Sequence, residues 1–252
     1  MSVLSRIDLK SHAEIEHMRA AGVLLRQVMA EVTNRVGPGI TTAELDHVAR
    51  KLIRDGGGRP AFLGYRGYPA TLCTSINEQV VHGIPSSREL LDGDIVSIDC
   101  GLILHGFYSD MAATRGVGII STEAEQLMRV TRESLEIGIA QMRPGNRLGD
   151  LSSAIQTHVE SNGFSVVREY TGHGIGREMH EPPQVPNIGE PDKGTRMKPG
   201  LVLAIEPMVN VGTWKTRVLD DNWTVVTADG SLSAHFEHTI AVTEEGPFIL
   251  TA

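Results

Sequence analysis

The chain has 252 residues, of which 40% are hydrophobic and 21% charged, and its net charge is −8 at pH 7. This length is enough for one large domain with a sizeable core, and the composition is ordinary for a globular protein. Without runs of Lys or Arg, the chain lacks the basic face that sequence-independent nucleic-acid binding requires. We therefore do not expect nucleic acid to be a primary ligand.

The N-terminal residues and the cysteines indicate the cellular compartment of the protein. The first ten residues, MSVLSRIDLK, lack the apolar segment of a signal peptide, and no stretch has the roughly 18 apolar residues of a membrane span. Cys73 and Cys100 form no CxxC pair, so they indicate neither a zinc ribbon nor a disulfide framework. We expect a cytoplasmic protein that does not bind membranes, with two buried thiols.

Two helices are predicted near the start of the chain. Ser11-x-x-Glu14 is a capping box, and apolar residues follow it at spacings of three and four as far as Val36. The Gly-Pro-Gly at 37–39 ends this long helix. A second capping box, Thr41-x-x-Glu44, begins a shorter helix that runs out at the three glycines 56–58.

The second half repeats this order of landmarks. Thr122-x-x-Glu125 predicts another capped helix, and with an offset of 106 Pro38, Leu45 and Gly57 match Pro144, Leu151 and Gly163. The tripeptide HGI occurs at 82–84 and at 173–175, and the strands GDIVSID and GLVLAIE both end on a carboxylate. Chance matches are the alternative to an internal duplication.

A duplication predicts the architecture. We expect a single domain over 1–252, of α/β (α+β) class, in which pseudo-repeat halves of about 11–118 and 119–250 pack around a pseudo-two-fold axis. A central antiparallel sheet would be covered by helices, with the site at its centre. His82 and His173 would then approach this site from opposite sides.

Four carboxylates are predicted to converge there. A hairpin centred between Leu104 and His105 would place Asp99 directly opposite Asp110, where like charges repel. Such a pair either shares a proton or holds a divalent ion, unless the register turns one of the two side chains to solvent. In the second half, Glu206 ends a strand and Glu237 lies in the later segment HFEHTIAVT, which can return antiparallel.

A buried cluster of four acids requires cations. Desolvation and mutual repulsion both oppose four negative charges in an interior, and two divalent ions would neutralise them. Oxygen-rich ligation with one imidazole, His173, suits Mn, Fe or Co better than a thiolate-seeking structural zinc, although zinc stays open.

The chain resembles the type I methionine aminopeptidases, which have the duplicated pita-bread fold. The resemblance rests on AFLGYRGYPATLCTSINEQVVHGIP, VSIDCG with FYSDMAAT, TGHGIGREMHEPPQVPN, AIEPMVN and DDNWTVVTADGSLSAHFEHTIAVT, in this order over nearly the whole chain. It implies a cytoplasmic, monomeric enzyme that removes the N-terminal methionine from nascent proteins when the second residue is small. A hydroxide that bridges two divalent metals (Mn, Fe, Co or Zn) would attack the first peptide bond.

The resemblance also implies residue roles. Asp99, Asp110, His173, Glu206 and Glu237 would ligate the metals. Glu206 would in addition accept the proton of the water, His82 would bind substrate near the scissile amide, and His180 would stabilise the oxyanion. The lining of the methionine pocket would comprise Phe62, Tyr65, Tyr68, Cys73, Met179 and Trp223, with His82 and His180 also contacting substrate.

Two residues depart from the family pattern. Phe62 and Met179 stand where the family often has a small residue and an aromatic one, so they would alter the outline of the pocket. A monovalent cation near Asn77 and Ser233 and a transient association with the ribosome are left open. The alternatives are a proline-directed peptidase of the same fold and a catalytically silent peptide-binding relative.

Overall fold

The structure, a computed structural model, describes residues 7–252 of the chain. This part forms α-helices and antiparallel β-sheets, as the sequence predicts. The α-helices span His12–Thr33 (α1), Thr42–Asp55 (α2), Thr122–Ala140 (α3) and Leu148–Ser161 (α4). A 3₁₀ turn covers Tyr65–Gly67.

The strands divide into four sheets. The first contains β1 (Arg59–Pro60), β2 (Leu72–Ile76), β4 (Ile95–Leu104) and β5 (Phe107–Gly116). Another has the order β15 (Gly246–Ile249), β14 (His238–Thr243), β9 (Val202–Ile205), β7 (Gly172–Gly174) and β8 (Glu181–Val185). The two smaller sheets are β11 (Thr216–Val218), β12 (Val225–Thr227) and β3 (Gln79–Val81), and β13 (Ser233–His235), β10 (Met208–Asn210) and β6 (Ser165–Val166).

The helix starts follow the capping signals with one correction. Ser11 and Thr41 cap α1 and α2 through the reciprocal bonds of a capping box. The cap of α3 is Ser121 rather than the predicted Thr122, because the hydroxyl of Ser121 accepts the N–H of Ala124, three residues further on.

The end of α1 is also earlier than predicted. The helix ends at Thr33, and Val36 lies beyond it. The amides of Arg35 and Val36 bond three residues back, to Val32 and Thr33, so the chain tightens into turns before it reaches the Gly-Pro-Gly segment.

Each pair of helices covers a sheet. Leu25 of α1 and Leu45 of α2 are fully buried in one core cluster with Ile98 of β4. In the second half, Leu151 of α4 and Leu203 of β9 belong to another buried cluster, which also contains residues of α3 and β14. Both halves therefore have two helices packed on antiparallel strands, whereas their boundaries and their relation by a pseudo-two-fold axis remain predictions.

The β4–β5 hairpin corrects the predicted register. Its turn consists of His105 and Gly106, both with positive φ (52° and 79°), so Leu104 pairs with Phe107. Asp99 therefore lies opposite Ala112, and Asp110 lies opposite Gly101, two positions from the predicted pairing. Because side chains alternate with a period of two, both carboxyls still face the same side of the sheet.

The two large sheets meet at Ala112. An isolated antiparallel bridge joins Ala112 of β5 to Glu237, the residue before β14, so Ala112 lies between Asp99 and Glu237. Beside it, the hydroxyl of Thr239 accepts the N–H of Asp110 and donates to its carbonyl, at 3.0 and 2.8 Å. The backbone bridge and the hydrogen bonds of the Thr239 hydroxyl bring carboxylates from both halves of the chain together.

No helix among residues 7–252 is both long enough and apolar enough to cross a membrane. Cys73 and Cys100 are free, buried thiols, as predicted.

Candidate metal centre and substrate pocket

Every side chain predicted for the site lines a single cavity of about 170 Å³. The lining consists of Phe62, Tyr65, Arg66, Tyr68, Cys73, His82, Asp99, Asp110, His173, Met179, His180, Glu206, Trp223 and Glu237. Pockets for drug-sized ligands are larger, roughly 300–1,000 Å³, so this cavity suits one side chain and the groups around it.

Glycines fix the position of His173. A Cβ atom on Gly172 would lie 2.4 Å from the carbonyl oxygen of Ala204, and one on Gly174 would lie 2.4 Å from that of Pro182. The neighbouring strands can therefore approach β7 closely only because His173 stands between glycines. Packing thus requires the two glycines that flank His173, of which Gly174 belongs to the HGI sequence.

The imidazole of His173 presents one ring nitrogen to the carboxylates of the cavity. Its Nδ1 lies 2.9 Å from the carbonyl oxygen of Gly174, to which it donates, and this leaves a lone pair on Nε2. Nε2 lies 3.5 Å from Oε1 of Glu206 and 3.9 Å from Oδ2 of Asp110. Burial lowers the pKa of His173 to about 4, so the imidazole is neutral, as metal ligation requires.

The carboxyl cluster is costly without a cation. Burial, the largest cause, raises the pKa of Asp99 to about 7 and raises those of Asp110, Glu206 and Glu237 well above their usual range. For Asp110, Glu206 and Glu237, the charges of neighbouring carboxylates raise the pKa further. Repulsion and desolvation therefore both oppose ionisation of the cluster.

The donor set fits divalent metal ions. Ligand atoms of Asp110, His173 and Glu237 all lie within 4.8 Å of one another. Oδ1 of Asp99 and Oε1 of Glu237 are buried and have no hydrogen-bond partner among residues 7–252. A proton-sharing pair of aspartates would use only two of these groups, whereas a cation would use the imidazole and the unpaired oxygens as well.

Two further histidines line the cavity. His82 adopts a left-handed conformation (φ 61°) at the turn after β3, and burial lowers its pKa to about 4. The ring centroid of His180 lies 4.3 Å from that of His173, and Nδ1 of His180 lies 2.7 Å from the hydroxyl of Tyr65. Burial also lowers the pKa of His180. Both imidazoles are thus neutral groups that can form hydrogen bonds.

Part of the cavity wall is apolar. Phe62, Tyr68, Cys73 and Met179 are buried in one cluster. Trp223 packs against this cluster, edge-on to Tyr68, with the two ring centroids 5.1 Å apart. Flexible thioether side chains pack well against such aromatic surfaces. Phe62 and Met179 thus form part of the wall, at the positions where the sequence departs from the resemblance.

The predictions from sequence omitted two residues near the cavity. Arg66 lines the mouth and has a positive φ of 50° within the 3₁₀ turn. His235 is 2% exposed, and its Nε2 lies 3.9 Å from oxygens of both Glu206 and Glu237. His235 stands two positions before Glu237 in HFEHTIAVT, and this alternation on an extended segment is the signal that could have identified it.

Comparison with known proteins agrees with this geometry. The model of metallopeptidase family M24 matches residues 16–244, and the chain therefore belongs to this family. The similar relatives share a more particular name. A methionine aminopeptidase of Clostridium perfringens is 56% identical over 97% of this chain and 98% of its own, and methionine aminopeptidase 1 of Bacillus subtilis is 52% identical over 97% and 99%. The crystal structure of methionine aminopeptidase from Rickettsia prowazekii superposes with a TM-score of 0.97 at 42% identity, covering 98% of this chain and all of that one.

The proline-directed alternative shares the fold only. A prolidase structure from Pyrococcus horikoshii has a TM-score of 0.79 at 22% identity, and its match covers 97% of this chain but 63% of the prolidase.

Proposed function

We propose that this chain is a metal-dependent aminopeptidase that removes N-terminal methionine from peptides and nascent proteins. One observation carries the proposal: a single small cavity joins a buried carboxylate–imidazole cluster to an apolar, aromatic wall. The first feature suits hydrolysis and the second suits a thioether side chain. The likeness to relatives named methionine aminopeptidase over nearly the whole chain supports the same function.

Two divalent ions would be held by five residues. They are Asp99, Asp110, His173, Glu206 and Glu237. When bound, such ions supply Lewis-acid polarisation and lower the pKa of bound water towards neutrality. The oxygen-rich donor set favours Mn, Fe or Co, and Zn is a further candidate.

The protein groups would handle the proton and orient the substrate. Glu206 retains 15% exposure of its side chain and faces the cavity, so it can accept a proton from the attacking water and pass it to the leaving amine. His82, neutral and in the wall of the cavity, would hydrogen-bond the substrate near the scissile amide. Its fixed position at a turn favours such an orienting role.

Tyr65 would determine the tautomer of His180. A phenol that donates to Nδ1 of His180 leaves the imidazole proton on Nε2. That N–H can donate to the carbonyl oxygen of the substrate, where negative charge develops in the transition state. Tyr65 would therefore orient the catalytic imidazole as well as line the methionine pocket.

Substrate selection would follow from the cavity. Phe62, Tyr68, Cys73, Met179 and Trp223 would contact the methionine side chain, and the free amine would lie at the carboxylate side, near Asp99. The preference for a small second residue rests on the family resemblance. Action on nascent chains would place the protein in the cytoplasm.

Three expectations from the sequence remain predictions: a monomer, transient contact with the ribosome, and a monovalent cation near Asn77 and Ser233. The carbonyl oxygen of Asn77 accepts the N–H of Ser233 at 2.9 Å, so the two residues are neighbours.

The direct experiment compares peptides and metals. Metal-free protein is reconstituted with Mn, Fe, Co or Zn in turn, and cleavage of Met-Ala-Ser, Met-Leu-Ser and an X-Pro peptide is followed. We expect Met-Ala-Ser to be cleaved fastest. Preference for the X-Pro peptide would indicate a proline-directed enzyme, and the absence of both bound metal and cleavage would indicate a silent binding protein.

A variant tests the role of His180. Replacing His180 with Ala removes the proposed donor to the oxyanion, and loss of one such donor lowers kcat by roughly 10²–10³-fold. Near wild-type turnover would contradict the assignment.

A further inference from the structure

A second buried imidazole, His235, points at the carboxylates without contributing to the ligand set described above. Its Nε2 has no hydrogen-bond partner among the described residues and lies 3.9 Å from Oε2 of Glu206 and 3.9 Å from Oε2 of Glu237. A buried polar atom without a partner costs roughly 1–3 kcal/mol. Its retention beside two acids therefore indicates that the assembled site uses it.

The carboxylate of Glu206 lies between two imidazoles. Its Oε1 is 3.5 Å from Nε2 of His173, and its Oε2 faces Nε2 of His235. His173 donates through Nδ1 to a backbone carbonyl and so presents a lone pair to the site. One oxygen of Glu206 is thus available for ligation beside His173, and the other oxygen needs a donor.

The backbone holds His235 firmly in place. Its N–H donates to the hydroxyl of Thr114, and that hydroxyl lies 2.9 Å from the carbonyl oxygen of His235. In addition, His235 pairs with Met208 in the β10–β13 ladder. Glu206 retains some exposure and faces the cavity, so its carboxylate is the group that can turn. A rotation that shortens the separation of 3.9 Å by about 1 Å would form a hydrogen bond.

We propose that His235 is a positioning residue of the metal centre, which donates its Nε2–H to Oε2 of Glu206 and thereby holds Oε1 beside His173. This inference rests on the proposed function, because it presupposes that Glu206 ligates metal. Hydrogen bonds to metal-ligating carboxylates orient them, and losing such a bond typically lowers metal affinity by roughly 10–100-fold. The neutral donor also reduces repulsion between Glu206 and Glu237.

Metal binding, measured apart from activity, tests the proposal. Full-length, metal-free protein is titrated calorimetrically with Mn²⁺ and with Co²⁺. The variant His235→Leu removes the N–H at similar size, and His235→Gln keeps an N–H donor. His238→Gln is the matched control, because the imidazole of His238 bonds to Thr251 and does not line the cavity.

We expect His235→Leu to bind metal roughly 10–100-fold more weakly with unchanged stoichiometry. We expect affinities within about threefold of the wild type for both other variants. His235→Gln supplies an amide N–H to Glu206, and His238→Gln leaves His235 itself unchanged. Wild-type affinity in His235→Leu would overturn the role of His235 alone. An equal loss in His235→Gln would also overturn it, because a retained donor would then make no difference.

A measurement on the unsubstituted protein covers the case in which His235→Leu does not fold. X-ray absorption of the Co²⁺-loaded wild type reports how many imidazole nitrogens bind the metals. A single imidazole donor, His173, supports the positioning role, and a second would overturn it by making His235 a ligand. If the wild type binds no divalent ion, the proposed function fails, and the role of His235 fails with it.

Discussion

The loop that carries Met179 and His180 depends on a buried ion pair from the N-terminal segment. Nζ of Lys10 lies 2.5 Å from Oε2 of Glu181, and the Lys10 side chain is 1% exposed. The other oxygen of Glu181 accepts the N–H groups of Arg177 and Glu178 at 2.7 and 3.2 Å. The carboxylate thus links Lys10 to the turn that presents His180 to the cavity.

Replacing Lys10 with Met removes the ammonium and keeps most of the apolar stem. Removal of one partner of a buried ion pair costs roughly 3–5 kcal/mol of stability. Glu181 keeps its two backbone donors and 12% exposure of its side chain, and Asp8, the second partner of Lys10, is 62% exposed. We therefore expect the free energy of unfolding to fall by about 3 kcal/mol, near the lower end of this range. We also expect kcat to decrease, because the loop that carries His180 becomes less ordered.

Urea denaturation and steady-state kinetics measure the two effects. Lys51→Met is the matched control, because Lys51 pairs with Asp55 on the surface, where both side chains are more than half exposed. Such pairs contribute about 1 kcal/mol or less. If Lys10→Met were no less stable than Lys51→Met, the energetic reasoning would be refuted. If stability fell while kcat stayed unchanged, the loop would be held without the ion pair.

Three other predictions follow from the contacts. Trp223→Ala widens the methionine pocket, so the preference for N-terminal methionine over phenylalanine should decrease by about tenfold, measured as a ratio of kcat/KM values. An unchanged ratio would show that Trp223 does not contact the methionine side chain. Gly22→Ala would place a Cβ 2.1 Å from the carbonyl oxygen of Leu250. It should therefore lower the free energy of unfolding, measured in urea, by about 1–3 kcal/mol despite the better helix propensity of Ala. Equal stability of the variant and the wild type would contradict this contact. Hydrogen bonds from the backbone and hydroxyl of Ser11 lower the pKa of Glu14 from 4.5 to about 2, so the stabilisation is present above pH 4.5 and is lost as the pH falls towards 2. The stability difference between wild type and Glu14→Gln should therefore shrink from about pH 6 to about pH 3, and a pH-independent difference would contradict the capping role.

Local signals in the sequence were strong where one short segment contained all the interacting groups. The capping boxes at Ser11 and Thr41 were predicted correctly, because cap and acid lie only three residues apart. At α3 two adjacent residues, Ser121 and Thr122, could both act as caps, and the choice between them depends on the path of the chain into the helix. Spacing alone does not contain that information.

The hairpin shows a second limit. The alternation of strand residues placed Asp99 and Asp110 on one face, and this was confirmed because a shift of two positions preserves the face. The pairing itself depends on which two residues adopt positive φ in the turn. The structure places the turn at His105 and Gly106, one residue later than the centre between Leu104 and His105 that the sequence predicted.

By itself, the sequence determined the helices, the antiparallel class and the residue types from which a metal site and a thioether pocket could be built. It did so because capping, periodicity and the chemistry of ligands are properties of short segments. Only the tertiary structure decided which atoms face one another: the lone pair of His173 towards Glu206, the hydroxyl of Tyr65 on His180, and His235 behind the carboxylates. These contacts join residues far apart in the chain, and their distances depend on how strands from both halves pack together.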